Sequence, residues 1–266
     1  VTAVPAGSTA LDRQRFLSRP VAHRGLHNVA GGVVENSLPA FEAAIRGGSS
    51  IECDLQPAAD SIPVVFHDER LERLTGESGP VDRREAAELA RVRLRDCSAG
   101  STIPTLSEML ALVEGRVPIF AEVKSGWGAR LDDAAFVAEI ARLVRAYRGP
   151  LALMSFNPAI VAALANAAPD VPRGLVSGSY RRADGSGWLA DVLDDPARDR
   201  LREVADLEAV GASFVAYEVA ALPTPRTSDL RAAGVPVLAW TVRTPSEWTA
   251  AHQYADQAIF EGEAPV

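Results

Sequence analysis

Short apolar runs alternate with amphipathic stretches along most of the chain, and this alternation limits the fold more than any other feature. The runs read as strands at Val21–Arg24, Ser50–Asp54, Pro118–Val123, Leu151–Ser155, Arg173–Val176, Ser213–Tyr217, Pro236–Thr241 and Gln257–Glu261. Between them lie helical patterns. Leu106, Met109, Leu110 and Val113 form one stripe, with capping-box spacing at Thr105 and Glu108 and a stop at Gly115. Phe136, Val137, Ile140, Val144 and Tyr147 form another, which ends before Gly149-Pro150. Strand–helix alternation builds parallel sheets, and eight strands favour closure into a barrel. A length of 266 residues suits that outcome, since (β/α)8 barrels commonly run to about 250 residues as one domain. The expected architecture is α/β, a TIM barrel spanning residues 1–266 as a single domain.

One strand breaks the alternation. Ile62–Phe66 follows Ile51–Leu55 after only Gln56–Ser61. A parallel crossover needs about a dozen residues or more, so this pair must be an antiparallel hairpin. It folds His67 back toward Glu52 and Asp54 and leaves eight strands for the barrel. Residues 56–102 then form a small insertion, a cap after the second strand, with two short helical patterns and the turn-like Thr75–Pro80. A second irregular stretch, Ser177–Arg198, follows the fifth barrel strand. It is rich in Gly, Ser, Arg and Asp, and it reads as a movable cover on the face where barrel enzymes place their chemistry.

Composition narrows the function classes. The formal net charge of −8 argues against broad attraction to nucleic acid or an anionic membrane, so any phosphate must be recognised locally. Cys53 and Cys97 have no metal-type spacing and are too few for a disulfide scaffold. Cys53 is expected to point into packing. No apolar run approaches the ~18 residues of a membrane helix, so no stable membrane insertion is expected. The first twenty residues carry Asp12, Arg13, Arg15 and Arg19 without an apolar stretch, which reads as the absence of a signal peptide and a cytoplasmic location.

Acids and imidazoles interrupt the apolar runs in a way that points to chemistry. His23 opens His23-Arg24-Gly25 at the end of the first run, and His67 closes Val64–Phe66. Glu52 and Asp54 share one face of the second strand, because side chains alternate along it, and Glu122 and Lys124 repeat the geometry on the next barrel strand. Three acids at adjacent strand ends suit a hard cation, Mg2+ or Ca2+, rather than zinc. Arg24 offers a bidentate phosphate donor and Lys124 a compact second charge. Two histidines at one mouth could move protons on either side of a phosphate. The bland alternative is a structural salt-bridge network with Lys124 and Arg24. His27 and His252 read as structural.

These residues lie in motifs that resemble the glycerophosphodiester phosphodiesterases. The motifs are His23-Arg-Gly25, Glu35-Asn-Ser37 with Ala40-Phe41, Ile51–Asp54, Val64–Asp68 with Leu71 and Leu74-Thr75, Ile103–Leu106, Glu122-x-Lys124 and Trp240-Thr241. The resemblance implies a (β/α)8 barrel with a small insertion carrying the second histidine. It implies a divalent ion on Glu52, Asp54 and Glu122, acid–base roles for His23 and His67, and phosphate contacts from Arg24 and Lys124. Glu35 and Asn36 would support the metal and histidine network, while Phe156 and Trp240 would lie near the bound alcohol. Two departures stand out. Arg243 occupies a position where the family often has Asn, and Ile259–Gly262 replaces a frequent Thr-Asp ending. Neither is expected to touch the acid–base pair or the metal cluster.

The function expected is metal-dependent hydrolysis of a small-molecule glycerophosphodiester to glycerol 3-phosphate and an alcohol. The attacking oxygen belongs either to the glycerol 2-hydroxyl or to water. Alternatives are a phospholipase-D-like enzyme on lysolipids or sugar phosphodiesters, and a catalytically dead binding barrel. The last would lack a histidine or a metal acid, and all five are present.

Overall fold

The computed structural model of the chain describes residues 10–98, 100–124, 133–182 and 184–264. The leader expectation therefore falls partly outside the described residues, as do Ala99 of the cap and Ala183 of the Ser177–Arg198 loop. Eight strands close on themselves: β1 (Val21–Ala22), β2 (Ser50–Pro57), β4 (Ile119–Val123), β5 (Leu151–Ser155), β6 (Arg173–Ser177), β7 (Phe214–Glu218), β8 (Val237–Val242) and β9 (Gln257–Phe260). Each pairs in parallel with the next, and β1 pairs with both β2 and β9, which completes the ring. β3 (Pro63–Val65) runs antiparallel to β2, with Leu55 opposite Val65, as the short connection requires.

The helices start where side chains can satisfy their free N–H groups. The Ser37 hydroxyl accepts from the Ala40 amide at the head of α2 (Leu38–Arg46). Thr105 with Glu108, and Thr244 with Glu247, form capping boxes on α4 (Leu106–Val113) and α9 (Pro245–Tyr254). α5 (Asp133–Ala146), α6 (Pro158–Ala167), α7 (Asp195–Arg202) and α8 (Pro225–Ala232) complete the outer ring. Among the described residues, none of the helices is long and apolar enough to cross a membrane.

Two cores result. Outward-facing strand residues, Cys53 among them, pack under the helices. Inside the barrel, Phe120, Met154, Val176, Phe214, Leu238 and Ile259 form a second cluster. Phe120 meets Phe214 edge-on at 5.8 Å. Gly174 leaves the space that Phe214 fills, because a Cβ there would lie 2.4 Å from its ring. At the amino end of the strands, α1 (Arg13–Phe16) sets Phe16 against Phe120 at 5.7 Å. The cap has its own apolar centre of Phe66, Leu71, Val81, Leu89, Leu94 and Ile103, with α3 (Ala86–Leu89) as its one α-helix among the described residues.

Two strand ends and one loop differ from expectation in ways that bear on function. β1 ends at Ala22, and the chain then turns sharply, with Arg24 at φ 57° and Gly25 at φ 78°. Gly25 is required there, since a Cβ would lie 2.9 Å from Ala40. The His-Arg-Gly triplet is thus a turn at the barrel mouth. β9 stops at Phe260, which frees Glu261 to point into that mouth. Ser177–Arg198, expected as irregular, starts with a short hairpin: Arg181 bridges Gly187, and the Trp188 amide donates to the Tyr180 carbonyl at 3.0 Å.

Candidate active site

The floor of the site is acidic and buried. Glu52, Asp54 and Glu122 each offer a carboxylate oxygen, all within 4.8 Å of one another, from the adjacent strands β2 and β4. Glu52 Oε1 is buried without a hydrogen-bond partner. Burial, reinforced by Asp54 and Glu122, drives the Glu52 carboxyl well above its ordinary range. Burial would lift Asp54 as well, but Lys124, His67 and Arg24 outweigh it and hold that carboxyl low. Three crowded carboxylates away from water call for positive charge. Lys124 supplies part of it, with Nζ 2.9 Å from Asp54 and 2.5 Å from Glu122. The remaining demand, an oxygen-only donor set with a buried unpartnered oxygen, fits a hard divalent cation.

The arginine next to His23 is bound to this floor. Arg24 Nε lies 3.2 Å from Asp54, its Nη1 donates to Glu35 at 2.7 Å, and its backbone amide donates to Glu52 at 2.8 Å. Asn36 holds Asp54 twice: its amide donates to Oδ2 at 2.8 Å, and its carbonyl accepts from the Asp54 backbone at 3.2 Å. Asn36 does this at φ 54°, a conformation Asn tolerates better than most residues.

Above the floor, each histidine is backed by a carboxylate and then by an arginine. His67 Nδ1 lies 2.7 Å from Asp68 Oδ1. Arg73, from the cap, donates to Asp68 at 2.5 Å through Nε and to Glu35 at 2.8 and 3.0 Å through its terminal nitrogens. His23 Nδ1 lies 2.6 Å from Glu261 Oε1, and Arg243 donates to Glu261 at 2.7 and 3.0 Å. Burial pulls the Glu261 carboxyl up, but the bonds from His23 and Arg243 prevail and set it at about 2. An ionised carboxylate only accepts, so Nδ1 carries the proton in both rings and Nε2 remains for chemistry. His23 Nε2 lies 3.8 Å from Glu52.

This corrects one expectation outright. The unusual ending does touch the candidate acid–base pair, because Glu261 is the partner of His23, and the unusual Arg243 reaches the pair through Glu261. The missed signal was topological. In a closed barrel β9 lies beside β1, so Ala22 pairs with Phe260 and the residues that follow them are neighbours. Arg73 was missed for a different reason: its partners Asp68 and Glu35 come from separate segments, and the contact exists only once the cap has folded over α2's approach.

One wall of the mouth is aromatic. Phe156, Trp188 and Trp240 line a cavity of about 700 Å³ together with His23, His67, Arg24, Lys124, Glu52 and Glu122. Phe156 meets Trp188 at 5.2 Å and Trp240 at 5.4 Å, nearly perpendicular to both. Trp188 and Tyr180, which packs behind it, were not singled out from the sequence. An indole in a polar, Gly-rich loop was the available clue. Of the two histidines read as structural, His252 packs on Trp248 in α9. His27 is partly buried, which lowers its pKa.

A model of the glycerophosphoryl diester phosphodiesterase family matches residues 23–261. The chain is 40% identical over 101 residues to the probable glycerophosphodiester phosphodiesterase 2 of Mycobacterium tuberculosis, which covers 37% of this chain and 36% of that protein. It is 43% identical over 65 residues to a human lysophospholipase D, 24% of this chain and 20% of that one. The chain thus spans well under half the length of these curated relatives. Among solved structures, it superposes on an Oleispira antarctica phosphodiesterase in complex with the product sn-glycerol-3-phosphate. The TM-score is 0.73 at 24% identity, covering 91% of this chain and 92% of the other, a likeness of fold.

Proposed function

The chain belongs to the glycerophosphoryl diester phosphodiesterase family, and on that premise we propose that it hydrolyses glycerophosphodiesters to glycerol 3-phosphate and a free alcohol. The reading is carried by one observation: a buried acid triad lies at a mouth flanked by two histidines, each with Nδ1 tied to a carboxylate. A divalent cation, Mg2+ or Ca2+, held by Glu52, Asp54 and Glu122 would lower the pKa of a hydroxyl or water and polarise the phosphate. Arg24 and Lys124, which line the cavity beside the acids, would hold phosphate oxygens. One histidine takes the proton from the attacking oxygen through Nε2. The other, protonated on Nε2, delivers its proton to the departing alkoxide, which is otherwise a poor leaving group. Glu261 and Asp68 keep both rings in the tautomer and orientation that this exchange needs. Glu35 and Asn36 position Arg24 and Asp54. The whole unit works as one domain, the cap supplying His67, Asp68 and Arg73.

The test is a panel of glycerophosphodiesters with coupled detection of glycerol 3-phosphate, with and without chelator. Release that stops with chelator and returns with Mg2+ or Ca2+ supports the reading. No release from any diester refutes it. A cyclic phosphate seen by phosphorus NMR during turnover would identify the 2-hydroxyl as nucleophile, and its absence under rapid quench would favour water. A second reading, a lysophospholipase-D-like activity, is favoured by the aromatic wall and by the matched segment of the human enzyme. Adding a lysophospholipid to the panel tests it.

A further inference from the structure

Resting on that reading, we propose that the hairpin residue Trp188 completes an aromatic corner with Phe156 and Trp240 that selects a leaving alcohol bearing a quaternary ammonium group. Four observations carry this. First, the three rings meet at interplanar angles of 73° and 88°. Perpendicular rings form a corner with faces left open, whereas a parallel stack would consume them. All three are partly exposed and line the same cavity as the two histidines.

Second, the corner offers little hydrogen bonding. Phe156 has no polar atom, and the Trp240 indole N–H is already given to the Ser177 carbonyl at 3.1 Å. A polyol pressed against these rings would give up water without finding partners on them, and a primary ammonium group would find the Glu218 carboxylate but no acceptor on the rings for its other donors, which is costly. An ammonium whose hydrogens are all replaced by methyl groups has no donors to lose, and it is drawn to ring faces.

Third, the local charge has the right sign. Glu218 is the register partner of Trp240 on the neighbouring strand and lines the same wall. Its carboxylate accepts from the Ser179 amide at 2.8 Å and hydroxyl at 2.6 Å, neutral donors that leave its charge in place. The cations near the corner are already paired: Arg243 with Glu261, and Arg198, whose guanidinium lies against Gly187, with Asp195. Fourth, the corner is built in advance. Glu218 pins the base of the hairpin, the Trp188 amide is bonded to Tyr180, and the buried Tyr180 ring packs behind Trp188 at 5.4 Å. A preformed site avoids the ordering cost that a loose loop would incur on binding.

The experiment compares kcat/KM for four glycerophosphodiesters that differ only in the alcohol: choline, ethanolamine, glycerol and 3,3-dimethylbutanol, the uncharged isostere of choline. The expected result is a preference for the choline ester over the ethanolamine and dimethylbutyl esters. In Trp188→Ala that preference should fall by about three- to thirtyfold, the range of a desolvated cation–π contact, and Trp188→Phe should restore most of it. If choline and dimethylbutyl esters are turned over equally well, the corner is merely apolar and the proposal fails. It also fails if Trp188→Ala leaves the three ratios to the choline ester unchanged. Absence of turnover for every ester would overturn the phosphodiesterase reading itself, and with it this inference. Circular dichroism and thermal melting of the Ala variant separate a lost contact from a lost fold.

Discussion

His23 and His67 reach the same mouth from regions of different origin. His23 belongs to the barrel: it follows β1, its amide is bonded to Phe260 at 2.9 Å, and its side chain is 11% exposed. His67 belongs to the excursion beyond β3 and is 33% exposed. Both rings rest on a carboxylate and an arginine, yet the arrangements end differently. Arg243 is 54% exposed and closes its chain of contacts at the rim. Arg73 continues inward through Glu35 to Arg24 and so to Asp54. One histidine is held by a rigid scaffold with a short tether. The other is held by a cap, and its tether runs back through Arg24 to the buried acid triad. Attachment to the end of a barrel strand supplies to the first what an extended ion-pair network supplies to the second.

The largest expected effect removes what the two share. Glu122→Gln or chelation should abolish turnover, and metal titration of the variant by calorimetry should show weakened binding with the melting profile little changed. Persistent full activity in excess EDTA would break the shared-floor picture. Next, His23→Ala and His67→Ala should each cost about 10²–10⁴-fold in kcat, the range of a positioned acid or base. The double variant should be little worse than the poorer single one. Losses that multiply would mean that the two histidines act independently.

The tethers come next. Asp68→Asn and Arg73→Ala should cost about 10–100-fold, as groups that orient site ligands usually do. Arg73→Ala should also raise KM, because Arg24 is loosened. Glu261→Gln should cost less and leave KM nearly unchanged, since its contacts stop at Arg243. Equal KM effects from the two sides would show that the inward link through Glu35 carries nothing. The smallest effect is on stability in acid. The Glu261 carboxyl is lowered from 4.5 to about 2, so its contribution is complete above the higher value and is lost as pH falls toward the lower one. Glu261→Gln should flatten the decline in denaturation midpoint across that window. A decline as steep as in the unsubstituted protein would place the acid sensitivity elsewhere.

The barrel was legible because its periodicities are local. Each strand and helix declares itself within about ten residues, and the short link before β3 forced the hairpin on chain length alone. The acid cluster was legible for the same reason, since alternation along one strand puts Glu52 and Asp54 on one face. Glu261 was not, because its partner is 238 residues away and they meet only through ring closure. Arg73 and Trp188 were harder still. Both sit in segments without periodicity, where nothing local fixes the direction of a side chain.

Phe16 beneath Phe120 has a consequence for traffic through the barrel. With Phe16 packed under the amino end of the ring, the cavity opens on one side, so on the proposed reading both products would leave by the opening through which the diester enters. The acids that form its floor are almost wholly buried, whereas the aromatic wall is partly open to water. The alcohol, which that reading puts against the aromatic wall toward the entrance, would then depart before glycerol 3-phosphate follows. Turnover should therefore queue: added glycerol 3-phosphate should inhibit competitively with the diester and the alcohol noncompetitively, and the reverse pattern would point to a second exit.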